Sequence, residues 1–238
     1  MQNELYVGIV IADSDEYAPI LNYVNKLNGT ESPLHSLTSH IINLNNNGKN
    51  YKVRTVLCGI GKVNAATATA FLINDGVDVL LNCGLSGGLN NVRRGDLMVA
   101  TSLLEHDFDL TSIGYKVAEK PGQEYIYTPN AYLNELIKTT YNGISEGVMV
   151  SGDSFINSNT KRDQLVNLFS ASACDMETAA IAYACTLSQV PYMVLRKISD
   201  DACDNAEESY RDMNELKESQ LVDILLNIVP KINKDKLK

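Results

Sequence analysis

The chain has 238 residues, 45% of them hydrophobic, enough to bury one substantial core, so a single domain over 1–238 is expected. Its formal net charge of −9 disfavours nucleic acid and anionic membrane surfaces as partners, because both demand basic patches. Five cysteines without a CxxC pair give no disulfide framework, and three histidines without HExxH spacing give no zinc ligand set, so neither metal nor cofactor is expected.

The start, Met1-Gln2-Asn3-Glu4, lacks the basic region and long apolar core of an export signal, and no apolar run approaches the roughly 20 residues that cross a bilayer. A cytoplasmic protein is predicted. Leu5–Ala12 is a continuous apolar run rich in β-branched residues, the pattern of a strand covered on both faces. Tyr51–Cys58 is a second strand, with His40–Leu44 as its hairpin partner across the turn-rich tract Asn43–Asn50. Alanine-rich Val63–Leu72 predicts a helix that returns to a strand over Val77–Asn82, followed by a glycine-rich loop, Gly84–Gly88. Further strands are predicted at Asp96–Ser102, Gly147–Ser151 and Tyr192–Ile198, with a helix over Met176–Leu187 and a final helix from Tyr210 to Val229. Lys231–Lys238 is expected to be a frayed tail. Strands alternating with helices argue for an α/β fold on a mostly parallel or mixed sheet.

In such sheets ligands bind beyond the carboxyl ends of the strands. Those positions hold Asp13, Asp15 and Glu16 after the first strand, Gly59 and Gly61 after the Tyr51–Cys58 strand, and Gly84, Ser86, Gly87 and Gly88 after the Val77–Asn82 strand. They also hold Gly152, Asp153 and Phe155, then Ser199 and Asp200, further along. By themselves they predict a small-molecule pocket with acid/base groups and specify no reaction. An acid after a strand is also a common helix N-cap, and a lone phenylalanine or methionine is more often core than binding surface.

Six segments occur in one order: GIGKVNAATA from Gly59, NCGLSGGL (Asn82–Leu89), GDLMVA, SGDSFIN (Ser151–Asn157), CDMETAAIA (Cys174–Ala182) and RKISDDA (Arg196–Ala202). Together they closely resemble the 5′-methylthioadenosine/S-adenosylhomocysteine nucleosidases of the nucleoside phosphorylase superfamily, over about Tyr6 to Leu226. The resemblance implies a three-layer α/β/α sandwich with a central mixed β-sheet, a homodimer, a purine nucleoside as ligand, and a role in methionine salvage. It also implies hydrolysis of the N-glycosidic bond, which needs an acid at the base and carboxylates near the sugar. On this pattern Asp200 matches the acid that protonates the purine, Glu16 the carboxylate that activates water, and Glu177 the carboxylate that holds the ribose. Phe155 would stack on adenine, the Ile156 backbone would read its edge, Met176 would pack between ribose and base, Ser199 would orient Asp200, and Arg196 would lie near the water. Leu110, Ile113, Tyr115 and Pro121, in the segment His106–Gly122, would reach into a neighbouring subunit's pocket, while His106 itself is expected to be structural.

Two positions depart from the family pattern. Leu85 stands where a serine is usual in the glycine loop, and Asp13 replaces a small or thioether side chain near the 5′ tail, where its charge could favour a polar or cationic 5′ substituent. The nearest rival is a phosphorolytic enzyme of the same superfamily. Such enzymes grip phosphate with arginines at places where this chain has Asn82 and the acidic stretch Asp13–Glu16. The other rival is a catalytically impaired nucleoside-binding protein, but none of the three carboxylates is lost. Adenosine, inosine and futalosine-type nucleosides remain alternative substrates.

Overall fold

The computed structural model describes residues 4–238, so the first three residues of the amino-terminal stretch lie outside it. The apolar run near the start forms β1 (Leu5–Ile11), the central strand, paired in parallel with β4 (Lys49–Leu57) on one side and β5 (Val79–Gly88) on the other. Its side chains alternate between faces with period two. Leu5, Val7, Ile9 and Ile11 join one core cluster, which takes in α1 (Ser14–Lys26), α3 (Ala131–Thr140) and α7 (Gln220–Ile228). Val10 and Ala12 join the other, which takes in α2 (Lys62–Asn74) and α5 (Thr178–Leu187). Both faces are covered, which is why the run shows no polar alternation.

β3 (Ser39–Asn46) and β4 form the expected hairpin, and β2 (Thr30–Glu31) extends it at the edge. Its two-residue turn, Asn47-Gly48, has both residues at positive φ, 51° and 78°, the conformation that asparagine and glycine tolerate. The remaining strands are β6 (Leu97–Glu105), β7 (Ile144–Ser151), β8 (Ala173–Asp175) and β9 (Tyr192–Asp200), with α4 (Asn159–Phe169) between β7 and β8. The order is β2-β3-β4-β1-β5-β8-β7-β6-β9, and β5 also pairs with β9, so this half of the mixed sheet closes on itself. Among the described residues, no helix is long and apolar enough to cross a membrane.

Three expectations change. Gly84–Gly88 is not a loop: β5 continues through it, paired with β9 from Leu80↔Tyr192 to Gly87↔Asp200 with a register shift after Ser86. Its glycines serve close approach, since a Cβ on Gly84 would overlap the Arg196 guanidinium and stand 2.9 Å from Glu16 Oε2. The final helix is two, α6 (Ala206–Glu215) and α7, broken where Lys217 takes a φ of 47°. Lys231–Lys238 packs instead of fraying: Ile232 and Leu237 are buried in the first core cluster, the Asn233 amide donates to the Tyr132 hydroxyl at 2.9 Å, and Lys234 pairs with Asp78 at 2.7 Å. Two well-placed apolar residues outweigh the lysines, whose charged ends stay in water.

Candidate active site

The carboxyl ends of β1, β5, β8 and β9 and the loop after β7 surround a cavity of about 320 Å³. Asp13 caps α1, accepting from the Asp15 amide at 2.8 Å, and this starts the helix whose first turn carries Glu16 into the cavity. Glu16 Oε1 accepts from the Leu85 amide at 2.7 Å. Burial pushes the Glu16 carboxyl up to about 7, opposed by the nearby Arg196 charge.

Arg196, on β9, is fully buried, with its Nε 3.1 Å and one terminal nitrogen 3.0 Å from Asp175 Oδ2. Burial works against its charge, but Asp175, Glu16 and Glu177 together raise its pKa. Asp175 is fixed in turn: the Ser151 hydroxyl donates to its Oδ1 at 2.5 Å, and the Glu177 and Thr178 amides at the start of α5 donate to the same oxygen at 3.2 Å. Glu177 Oε1 accepts from the Gly61 amide at 2.9 Å. Burial, then the neighbouring Asp175, pushes Glu177 up to about 6.

Asp200 ends β9 on another wall, and burial raises its pKa too. The Ser199 hydroxyl donates to its Oδ2 at 2.6 Å and the Ala202 amide to its Oδ1 at 2.9 Å. Phe155, 39% exposed, lines the cavity with its ring edge-on to Tyr210 of α6 at 5.6 Å, and Ile156 and Met176 complete the apolar lining. A charged tie holds the Phe155 loop. Lys62 Nζ bonds Asp107 Oδ1 at 2.5 Å, the Asp153 amide donates to Asp107 Oδ2 at 2.9 Å, and the Lys62 amide donates to Asp153 Oδ1 at 2.8 Å.

Of the residues singled out in the sequence, Asp13, Glu16, Leu85, Phe155, Ile156, Met176, Glu177, Ser199 and Asp200 all line this one cavity, and Arg196 stands directly behind it. Leu110, Ile113, Tyr115 and Pro121 do not line it. They sit on the segment after β6, where Ile113 is 68% exposed. His106 is likewise outside the lining. Ser86, one of the strand-end positions named for a pocket, lines it too, and Asp175, Ile60 and Tyr210 line it without having been singled out. Only the spacing of Asp175 before Glu177, at a helix start, could have flagged any of them.

A family model described as the phosphorylase superfamily matches residues 6–230. The chain belongs to that superfamily. Within the superfamily it is 33% identical to a 5′-methylthioadenosine/S-adenosylhomocysteine nucleosidase of Exiguobacterium sp., over 88% of this chain and 91% of the relative. It is equally 33% identical to an aminodeoxyfutalosine nucleosidase of Helicobacter pylori, with the same coverage of each chain. The crystal structure of the Helicobacter pylori 5′-methylthioadenosine/S-adenosylhomocysteine nucleosidase with butyl-thio-DADMe-Immucillin-A superposes with a TM-score of 0.90 at 30% identity, covering 97% of this chain and 100% of that one. The superfamily fold thus extends over the α/β architecture and the mixed sheet described above.

Proposed function

We propose that this protein hydrolyses the N-glycosidic bond of 5′-methylthioadenosine, S-adenosylhomocysteine or both, releasing adenine. The observation that carries the reading is the charge of the cavity. Five carboxylates line it (Asp13, Glu16, Asp175, Glu177 and Asp200), and among the described residues no lysine, arginine or histidine does. Such a lining stabilises positive charge developing on a sugar and repels a phosphate dianion, so water is the nucleophile.

In this reading the purine stacks on Phe155, with the Ile156 backbone at its edge and Met176 against the ribose. Protonated Asp200, oriented by Ser199, gives its proton to N7 of the purine as the bond between C1′ and N9 breaks. The electron pair of that bond leaves with adenine. Glu16, poised by the Leu85 amide, takes a proton from water as the water oxygen bonds to C1′. Glu177 accepts from the ribose hydroxyls, and Arg196 balances the carboxylates from behind the wall. Proton return from Glu16 to Asp200 through solvent closes the cycle. The names and fold of the relatives support the reaction type. Exposed apolar side chains at Ile113, Tyr115 and Ile60 support a homodimer in which Leu110, Ile113, Tyr115 and Pro121 cover a neighbouring pocket.

The test is adenine release from 5′-methylthioadenosine in phosphate-free buffer. The expected rate is the same with and without phosphate. Strict dependence on phosphate overturns the choice of nucleophile, and absence of any adenine overturns the reaction.

A further inference from the structure

The cavity has two chemically distinct ends. At one, Asp200 is held by Ser199 and Ala202 and lies close to Cys174, whose pKa it raises along with burial. At the other is Asp13, which follows β1 on the far side of β5 from β9; Asn214 of α6 donates to it at 3.2 Å, and Tyr210, one turn earlier on α6, also lines the cavity. With the purine at Asp200 and the ribose at Glu177, the 5′ chain of a bound nucleoside runs to the end formed by Asp13 and Tyr210.

Asp13 is fixed there with half of its carboxylate uncommitted. The Asp15 amide at 2.8 Å and Asn214 Nδ2 at 3.2 Å both donate to Oδ1, and Oδ2 accepts nothing from the described residues. No salt bridge among the described residues includes Asp13: the nearby Lys217 is engaged by Asp15 at 2.9 Å, and Arg196 by Asp175 and Glu177. A carboxylate without a cation of its own thus lines a cavity that, among the described residues, no basic side chain lines. Resting on the hydrolytic reading above, we infer that Asp13 selects nucleosides whose 5′ chain ends in a cationic ammonium group over those whose chain is uncharged or anionic. The amino group of S-adenosylhomocysteine is one such cation. A 5′ chain that carries only a carboxylate meets the Asp13 charge, which no salt bridge among the described residues offsets.

The experiment compares three substrates of the full-length protein: 5′-methylthioadenosine, 5′-(3-aminopropylthio)-5′-deoxyadenosine and 5′-(3-carboxypropylthio)-5′-deoxyadenosine. Each is measured with the natural chain, with Asp13→Asn and with Asp13→Ser, both of which retain a capping side chain for α1. The ammonium compound is expected to have the highest kcat/KM and the carboxylate compound the lowest. In both variants the ratio between those two falls by roughly three- to tenfold, mainly through KM, as expected for a partly exposed ion pair. A ratio unchanged in both variants, or a natural chain that does not prefer the cation, overturns the inference while adenine release still upholds the hydrolytic reading. If none of the compounds yields adenine, the hydrolytic reading fails instead. The dissociation constants of the same series, measured by calorimetry, then decide the charge preference by the same ratio.

Discussion

In the proposed mechanism Glu16 links activity and stability at a single side chain. Burial raises its pKa from the ordinary carboxylate range to about 7, so between roughly pH 4.5 and 7 the folded chain holds a proton that the unfolded chain has released. The sign follows: this contribution is fully present below the unfolded pKa and is lost as pH rises through about 7. Glu177, raised to about 6 chiefly by burial, acts in the same direction. Glu16→Gln retains an acceptor for the Leu85 amide but never ionises. Its melting temperature is expected to gain on that of the natural chain as pH rises from 5 to 8, by a few degrees, in scanning calorimetry. Its adenine release is expected to fall by about 10²-fold or more, and the natural chain's rate to climb through about pH 7 as Glu16 ionises. A variant no more stable at pH 8 than at pH 5, relative to the natural chain, would show that Glu16 is not buried with a raised pKa.

Among the elements, the carboxy-terminal segment changes most in meaning. Eight residues with four lysines carry two apolar anchors, Ile232 and Leu237, that finish the core layer formed by α1, α3 and α7. Asn130 caps α3 through the Leu133 amide and also donates to the Leu237 carbonyl, so the tail and α3 hold each other. Ile232→Ala is expected to lower unfolding stability by about 2 kcal/mol or more in urea titration, the cost of removing a buried branched side chain. A frayed tail would shift it by less than about 0.5 kcal/mol. β5 offers the converse lesson. Glycines that look like a loop in the sequence form a strand whose bare backbone leaves room for the Glu16 carboxylate and the Arg196 guanidinium beside Gly84.

At the scale of the whole molecule, the proposed dimer accounts for apolar surface that a single chain leaves in water. Ile60 both lines the cavity and is 49% exposed, and Ile113 and Val63 are 68% and 77% exposed. Placing a charge at that surface by Ile113→Asp is expected to convert a dimer to a monomer in sedimentation velocity and to raise KM for 5′-methylthioadenosine. A dimer unaffected by the substitution would move the interface elsewhere.

The sequence by itself determined the alternation of strands and helices, the Asn47-Gly48 hairpin and the three carboxylates, because each is written locally as hydrophobic period, turn residue or motif. Short motifs also brought Phe155, Met176 and Ser199 to the cavity, the first two lying past the ends of β7 and β8 and the third next to last in β9. Only the tertiary structure decided that Asp175 and Arg196 form the buried pair behind the wall, that Lys62, Asp107 and Asp153 tie three loops together, and that Tyr210 lines the cavity edge-on to Phe155. The reason is separation along the chain: Tyr210 and Asn214 come to Asp13 across about two hundred residues, and no local pattern records which surfaces α6 will meet. Asp13 shows both sides. Its place after a strand marked it as a cap or a site residue, and the fold has it cap α1 through Oδ1 while it lines the cavity.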